Sequence, residues 1–113
     1  MHEIGVVMQV IASVEDIARQ NGLTRIQILV LQIGELSSTV PRYVETCYPA
    51  AASGTMLEAT ELKIEILPGI ALCRACGTTF RLNDAVHACP ACAGQEWEIT
   101  GGKEFMIKEI VAC

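Results

Sequence analysis

The sequence is poor in aromatic side chains, in histidine and in basic charge, and each shortage narrows what the chain can be. One tryptophan, two tyrosines and two phenylalanines among 113 residues (4%) leave a core that must be built from Ile, Val, Leu and Ala. Eight basic residues against thirteen acidic ones give a net charge of −5, which argues against a nucleic-acid partner. No apolar run approaches the roughly 20 residues needed to cross a bilayer. The longest, Ile26 to Ile33, is interrupted by Gln27 and Gln32, so no membrane partner is expected. The opening Met1-His2-Glu3 lacks the basic segment of a secretory signal, and a cytoplasmic location is expected. Two histidines far apart and no serine nucleophile elbow leave little for a catalytic centre, so no enzymatic activity is expected. What the chain does have is 51% hydrophobic residues, 19% charged residues and six cysteines. The first two fit a single folded domain with a small appendage. In a reducing compartment the six cysteines read as metal ligands plus spares rather than a disulfide framework.

Ile4, Val7, Met8, Ile11, Val14, Ile17 and Ala18 recur at helical spacing and predict an amphipathic helix from Glu3 to about Gln20, stopped by Asn21-Gly22. Thr24 to Ile33 reads as a strand with both faces largely covered. Ser38 or Thr39 offers an N-cap before Pro41, where a second helix begins and runs towards Ser53 and Gly54. Its buried side would be Val40, Val44, Cys47, Tyr48 and Ala51, with a kink or break near Tyr48 because Pro49 cannot donate a hydrogen bond. Leu62, Ile64 and Ile66 alternate with charged neighbours as a strand with one wet face. A last strand follows Gly101-Gly102, which is expected to act as a hinge. The expected fold class is α+β: two helices packed on a small mixed three-stranded sheet, with an inserted zinc-ribbon-like module of four cysteines. The expected domains are residues 1–68 plus 101–113, and residues 69–100.

The inserted stretch carries Cys73-x2-Cys76 and Cys89-x2-Cys92, separated by twelve residues. Each pair sits on a tight turn, so two thiolates reach one ion, and two such turns complete a tetrahedron with Zn–S bonds of about 2.3 Å. Gly77 after the first pair and Pro90 inside the second agree with that turn chemistry, and Phe80 and Trp97 flank the site. With all four positions filled by protein, a zinc ion here would be structural. A rubredoxin-type iron centre shares this spacing. Only Arg74 and Arg81 are basic within the module, too few for a phosphate-binding face.

His2 places three nitrogens together: the terminal amine, its own amide and its imidazole. Chelation through them closes adjacent five- and six-membered rings, and planar nitrogen ligation suits Ni(II) or Cu(II) better than zinc. The plain alternative is an exposed histidine at a frayed terminus.

Several motifs occur in a fixed order: Met1-His2-Glu3, Ile33-Gly34-Glu35-Leu36-Ser37, Gly54-Thr55-Met56-Leu57-Glu58, Leu62-x-Ile64-Glu65, Cys73-x2-Cys76-Gly77, Cys89-Pro90-x-Cys92 and Gly102-Lys103-Glu104-Phe105. Together they resemble the HypA/HybF family of nickel metallochaperones over essentially the whole chain. The resemblance implies a carrier that helps insert nickel into [NiFe] hydrogenase, with a HypB-type GTPase and the hydrogenase large subunit as partners, acting as monomer or dimer. Relatives in some organisms also serve urease. It implies nickel (Ni2+) as transient cargo at Met1, His2 and Glu3, with His87 a candidate additional ligand. It also implies structural zinc (Zn2+) at Cys73, Cys76, Cys89 and Cys92. Glu3 would orient His2 or give its backbone nitrogen to nickel. Some members carry a histidine just after each cysteine pair, associated with a pH-dependent change at zinc. Here Gly77-Thr78 and Ala93-Gly94 hold those places, and Ala93 stands where glycine is usual. Cys47 reads as a small buried apolar residue and Cys113 as an incidental terminal thiol. The competing function is a zinc-ribbon adaptor that only recruits another protein.

Overall fold

A computed structural model describes residues 2–83 and 85–112, except the side chain of His2. Helix α1 (His2–Gln20) buries Val7, Ile11, Val14 and Ala18, a stripe spaced by four, three and four residues. That stripe is narrower than expected. Met8 (57% exposed) and Ile17 (38%) lie about 100° around the helix from their buried neighbours and face outward. The helix ends as Asn21-Gly22 predicts: Gly22 takes a positive φ of 66°, the Gly22 amide donates to Arg19, and the Leu23 amide donates to Ala18 at 2.8 Å. Leu23 then packs against the core.

Strand β1 (Ile26–Gly34) is the centre of a mixed sheet ordered β2-β1-β6. β2 (Glu61–Leu67) lies parallel to it, which requires a crossover, and α2 (Pro41–Ala52) supplies one. β6 (Phe105–Ala112) runs antiparallel on the other side. Leu29, Leu31 and Ile33 point into the core formed with both helices. The opposite face of β1 carries no helix yet is largely covered, as expected: Val30 there is buried, and only Gln27 of the strand is exposed. Ile28, Val30 and Val111 there are flanked by Lys63, Glu65 and Glu109 instead. On β2, Leu62 and Ile64 pack on the core, but Ile66 is half exposed.

Two details of α2 differ from the sequence reading. Its N-cap is Val40, with no side-chain cap, instead of Ser38 or Thr39; just before it the Thr39 amide donates to Ser37 Oγ. Pro41 still occupies the first helical turn, where its missing N–H costs nothing. No break occurs at Tyr48: the helix runs through Pro49 to Ala52, and the Ser53 amide donates to the Pro49 carbonyl at 3.2 Å. Pro49 sits one turn from the end, and both it and Glu45 are exposed, so the carbonyl left without a helical donor faces solvent. Cys47 is buried, as expected for a small apolar residue.

The cysteine-bearing segment forms its own three-stranded antiparallel sheet, β4-β3-β5, from β3 (Ile70–Cys73), β4 (Thr79–Arg81) and β5 (Trp97–Gly101). This agrees with the zinc-ribbon-like module expected there, whose individual strands the sequence does not mark. The joint between the sheets is closely packed. A side chain at Gly34 would overlap the Gly102 carbonyl, and one at Gly102 would come within 2.5 Å of the Gly69 Cα. Of the two glycines expected as a hinge, Gly102 is therefore a position of close backbone approach, whereas Gly101 has only ordinary contacts with Ile70. The Leu36 amide donates to Gly102, the Leu82 amide to Gly69, and Arg81 pairs with Glu35 at 2.9 Å across this joint.

Candidate metal centre

The two cysteine turns are built alike. The Gly77 amide donates to the Cys73 carbonyl and the Ala93 amide to the Cys89 carbonyl, at 2.9 and 2.8 Å. The Cys73 amide reaches Thr78 and the Cys89 amide reaches Gly94. Both turns close through a left-handed residue, Gly77 at φ 76° and Ala93 at φ 63°. The Ala91 and Gly94 amides lie 3.4 Å from the Cys89 and Cys92 sulfurs and point partial positive charge at them.

These turns face one another and bring the Sγ atoms of Cys73, Cys76, Cys89 and Cys92 within 4.8 Å of each other. Cys73 and Cys92 are 3.6 Å apart, and Cys76 and Cys89 are 3.7 Å apart. A regular tetrahedron with bonds of about 2.3 Å has edges of about 3.8 Å, so the donor set fits one thiolate-bound ion. Cys73 and Cys89 are buried, whereas Cys76 and Cys92 are exposed, so the cluster sits at the edge of its sheet with one side to solvent. The buried pair belongs to a small core with Ala71, Phe80 and Leu82, and Phe80 meets the half-buried Trp97 edge to face at 5.6 Å.

The two exposed thiols, Cys76 and Cys92, do not ionise alike. The Thr78 hydroxyl, 3.2 Å from Cys76 Sγ, and the Thr78 amide favour the Cys76 thiolate and bring its pKa down to about 6. At Cys92 the Gly94 amide also favours the thiolate. The crowded thiols of Cys73, Cys76 and Cys89, together with burial, outweigh it and push that pKa up to about 12. A cation among the sulfurs would favour the Cys92 thiolate against that crowding. Thr78 was not foreseen as part of this site; a hydroxyl two residues after a cysteine carries no distinguishing signal in sequence.

Of the remaining site residues, Met1 and the side chain of His2 lie outside the described residues. The backbone of His2 opens α1, and Glu3 is buried in the first turn of that helix. His87 is exposed on the connection between β4 and β5 and is not part of the four-thiol cluster. Cys113 also lies outside the described residues. Among the described residues, no other group of three or more His, Cys, Asp or Glu side chains converges as a metal site. No helix among them is long and apolar enough to cross a membrane.

The chain matches the family model described as "Hydrogenase/urease nickel incorporation, metallochaperone, hypA" over residues 1–112. It is 36% identical over 110 residues to hydrogenase maturation factor HypA of Dechloromonas aromatica, covering 97% of each chain. It is 37% identical over 110 residues to the HypA of Chlorobium limicola, covering 97% of this chain and 95% of that one. Among solved structures, the fold resembles the Ni metallochaperone HypA from Helicobacter pylori, with a TM-score of 0.67 at 23% identity over 97% of this chain and 96% of that one. A second HypA solution structure matches with a TM-score of 0.72 at 24% identity, covering 100% of this chain and 97% of that one.

Proposed function

Because this chain belongs to the HypA family of nickel-incorporation metallochaperones, we propose that it captures Ni(II) at its amino terminus and hands it to a [NiFe] hydrogenase during maturation. The observation that carries this reading is the family match, which spans both the His2 terminus and the four-cysteine module. The start of α1 supports the chelate. A helix beginning at His2 does not use the amide nitrogens of its first turn for its own hydrogen bonds, so ligation through them sacrifices no helical bond. Nickel is held by Met1, His2 and Glu3, with His87 as the candidate additional ligand. A carrier has to release its cargo, so the dissociation constant is expected on the order of 1 µM.

Zinc at Cys73, Cys76, Cys89 and Cys92 is structural in this proposal, since the cluster leaves no position for water or substrate. The domain division at residues 1–68 plus 101–113 and 69–100 is supported by β6 rejoining the first sheet and β3 to β5 making up the second, which extends one residue further, to Gly101. The protein acts without catalysis, in the cytoplasm. A HypB-type GTPase and the hydrogenase large subunit are its partners, a reading supported by the maturation-factor name of its relatives. The adaptor alternative finds no support in these comparisons.

The test compares untagged protein, His2→Ala, and protein extended by a few residues before Met1, each titrated with nickel by calorimetry with the visible spectrum followed in parallel. Extension turns the terminal amine into an amide. Both changes are expected to weaken binding at least roughly tenfold and to abolish a planar-nickel absorption band. Unchanged affinity in both would overturn the terminal chelate.

A further inference from the structure

Strand β6 is an edge: among the described residues it pairs only with β1. Its sequence, Phe105-Met106-Ile107-Lys108-Glu109-Ile110-Val111-Ala112, sets one Lys-Glu pair between two apolar arms. In a regular strand, Lys108 and Glu109 would point to opposite faces. Here the register slips, with Val30 opposite Glu109 but Leu31 opposite Ile107, so Lys108 is the extra residue of a bulge. Both charges therefore lie on the face away from the helices. Lys108 Nζ reaches the Glu65 carboxylate at 2.8 and 3.0 Å, and Glu109 borders the shallow depression with Ile28, Val30 and Val111. Ile107 and Ile110 both turn to the core on the helical side. Further out, Met106 and Val111 share the open face, while Phe105 and Ala112 oppose Ile33 and Ile26 of the core. By face, β6 reads alike from its midpoint in either direction, with Lys108 mirrored by its opposite charge Glu109.

We propose that β6 is a self-complementary edge on which a second copy of this chain docks. The two β6 strands pair antiparallel about a two-fold axis between Lys108 and Glu109, joining two three-stranded sheets into one of six strands. In this register Lys108 of each copy faces Glu109 of the other, Ile107 faces Ile110, Met106 faces Val111 and Phe105 faces Ala112. Every pair falls on a common face. A shift of one position either way sets Lys108 against Lys108 or Glu109 against Glu109 and mixes core-facing with solvent-facing residues, so only one register is favourable. Lys108 then lies between its own Glu65 and Glu109 of the other copy. Along the β6 edge, a groove of about 280 Å³ between α1 and β6 is lined by Val6, Val10, Phe105 and Ile107, with polar Gln9 and Ser13 on the helix and Met106 also bordering it. Ile110 and Ala112 of the second copy fill it. An edge that pairs with itself in one register is also closed to less specific strand addition.

The experiment is sedimentation of the metal-loaded full chain at low salt over roughly 5–200 µM, with wild type expected to dimerise on the order of 10 µM. Lys108→Glu and Glu109→Lys each place like charges opposite one another twice, and each is expected to weaken dimerisation about tenfold or more. An equimolar mixture of the two variants restores opposite pairs and is expected to form the heterodimer. A wild type that stays monomeric throughout, or variants that dimerise like wild type, would overturn the proposal. So would folded variants whose mixture fails to associate. If a variant does not fold, hydrogen exchange of wild type decides. Protection of β6 amides must rise with protein concentration while that of β2 does not, and equal behaviour of the two edges counts against the interface.

Discussion

At the scale of single residues, the two cysteine turns are equivalent in hydrogen bonding yet unequal in strain. Gly77 and Ala93 occupy matching left-handed positions, but only glycine enters that region without steric cost. A non-glycine residue there costs about 1–2 kcal/mol, and glycine gives back roughly half of that in unfolded-state entropy. Ala93→Gly is accordingly expected to stabilise the module by about 0.5–1 kcal/mol, since the exposed Ala93 methyl gives up little burial. Slower zinc loss to a chelator and a higher unfolding midpoint would show it. A lower midpoint would mean the alanine supplies something other than strain. The cysteine spacing and the glycine after the first pair were legible in sequence because tight turns accept few residue types. The contribution of Thr78 was not, because it arises from where the fold places an ordinary hydroxyl.

At the scale of elements, helical and strand periods were legible where one face is buried and the other wet. They misled where cover ends. Met8, Ile17 and Ile66 belong to apolar patterns, yet each sits where no second layer reaches it. The joint between the sheets shows a different failure. Gly102 reads as part of a hinge in sequence, but together with Gly34 and Gly69 it admits backbones to close contact, and Glu35 then meets Arg81 across the gap. The Arg81 hydrogen bond, with help from the Gly69 amide, holds the Glu35 carboxyl below its ordinary value of 4.5 against the opposing effect of burial. A lowered carboxyl pKa stabilises the folded state above the unfolded value, and that contribution is lost as pH falls through the folded value. Glu35→Gln should therefore make stability fall less steeply with acid, with a shallow effect because Arg81 is exposed. Urea midpoints of wild type and Glu35→Gln at about pH 6 and about pH 3.5 measure it. Identical slopes would show that the pair is not felt by the fold.

At the scale of the whole molecule there are two cores of different kinds. The larger is mainly aliphatic, built from α1, β1 and α2 with Leu57, and holds one aromatic, Tyr48, whose hydroxyl donates to the Leu57 and Thr60 carbonyls. The smaller holds only Ala71, Cys73, Phe80, Leu82 and Cys89 as buried residues, too little apolar area to fold without a staple. Stripping the metal with a chelator is expected to remove amide protection from β3, β4 and β5 while β1 keeps most of its own. Structural zinc contributes on the order of 10 kcal/mol in modules of this size. Hydrogen exchange on stripped and reloaded protein reads this directly. Equal protection of both sheets after stripping would show that the small core needs no ion.

The sequence by itself determined the chemistry that depends on residue type and short spacing. It specified two cysteine pairs on tight turns, a histidine at the second position, two amphipathic helices and the strands between them. Those signals are local, and local sterics and periodicity enforce them. The tertiary structure alone decided what depends on distant segments meeting. It drew four sulfurs to tetrahedral separations, pressed three glycines together at the joint and covered one sheet face with side chains instead of a helix. It also turned Lys108 and Glu109 to the same side through a bulge that exists only because β1 and β6 pair as they do. Register and close approach are properties of two chain segments at once, so neither segment's sequence states them alone.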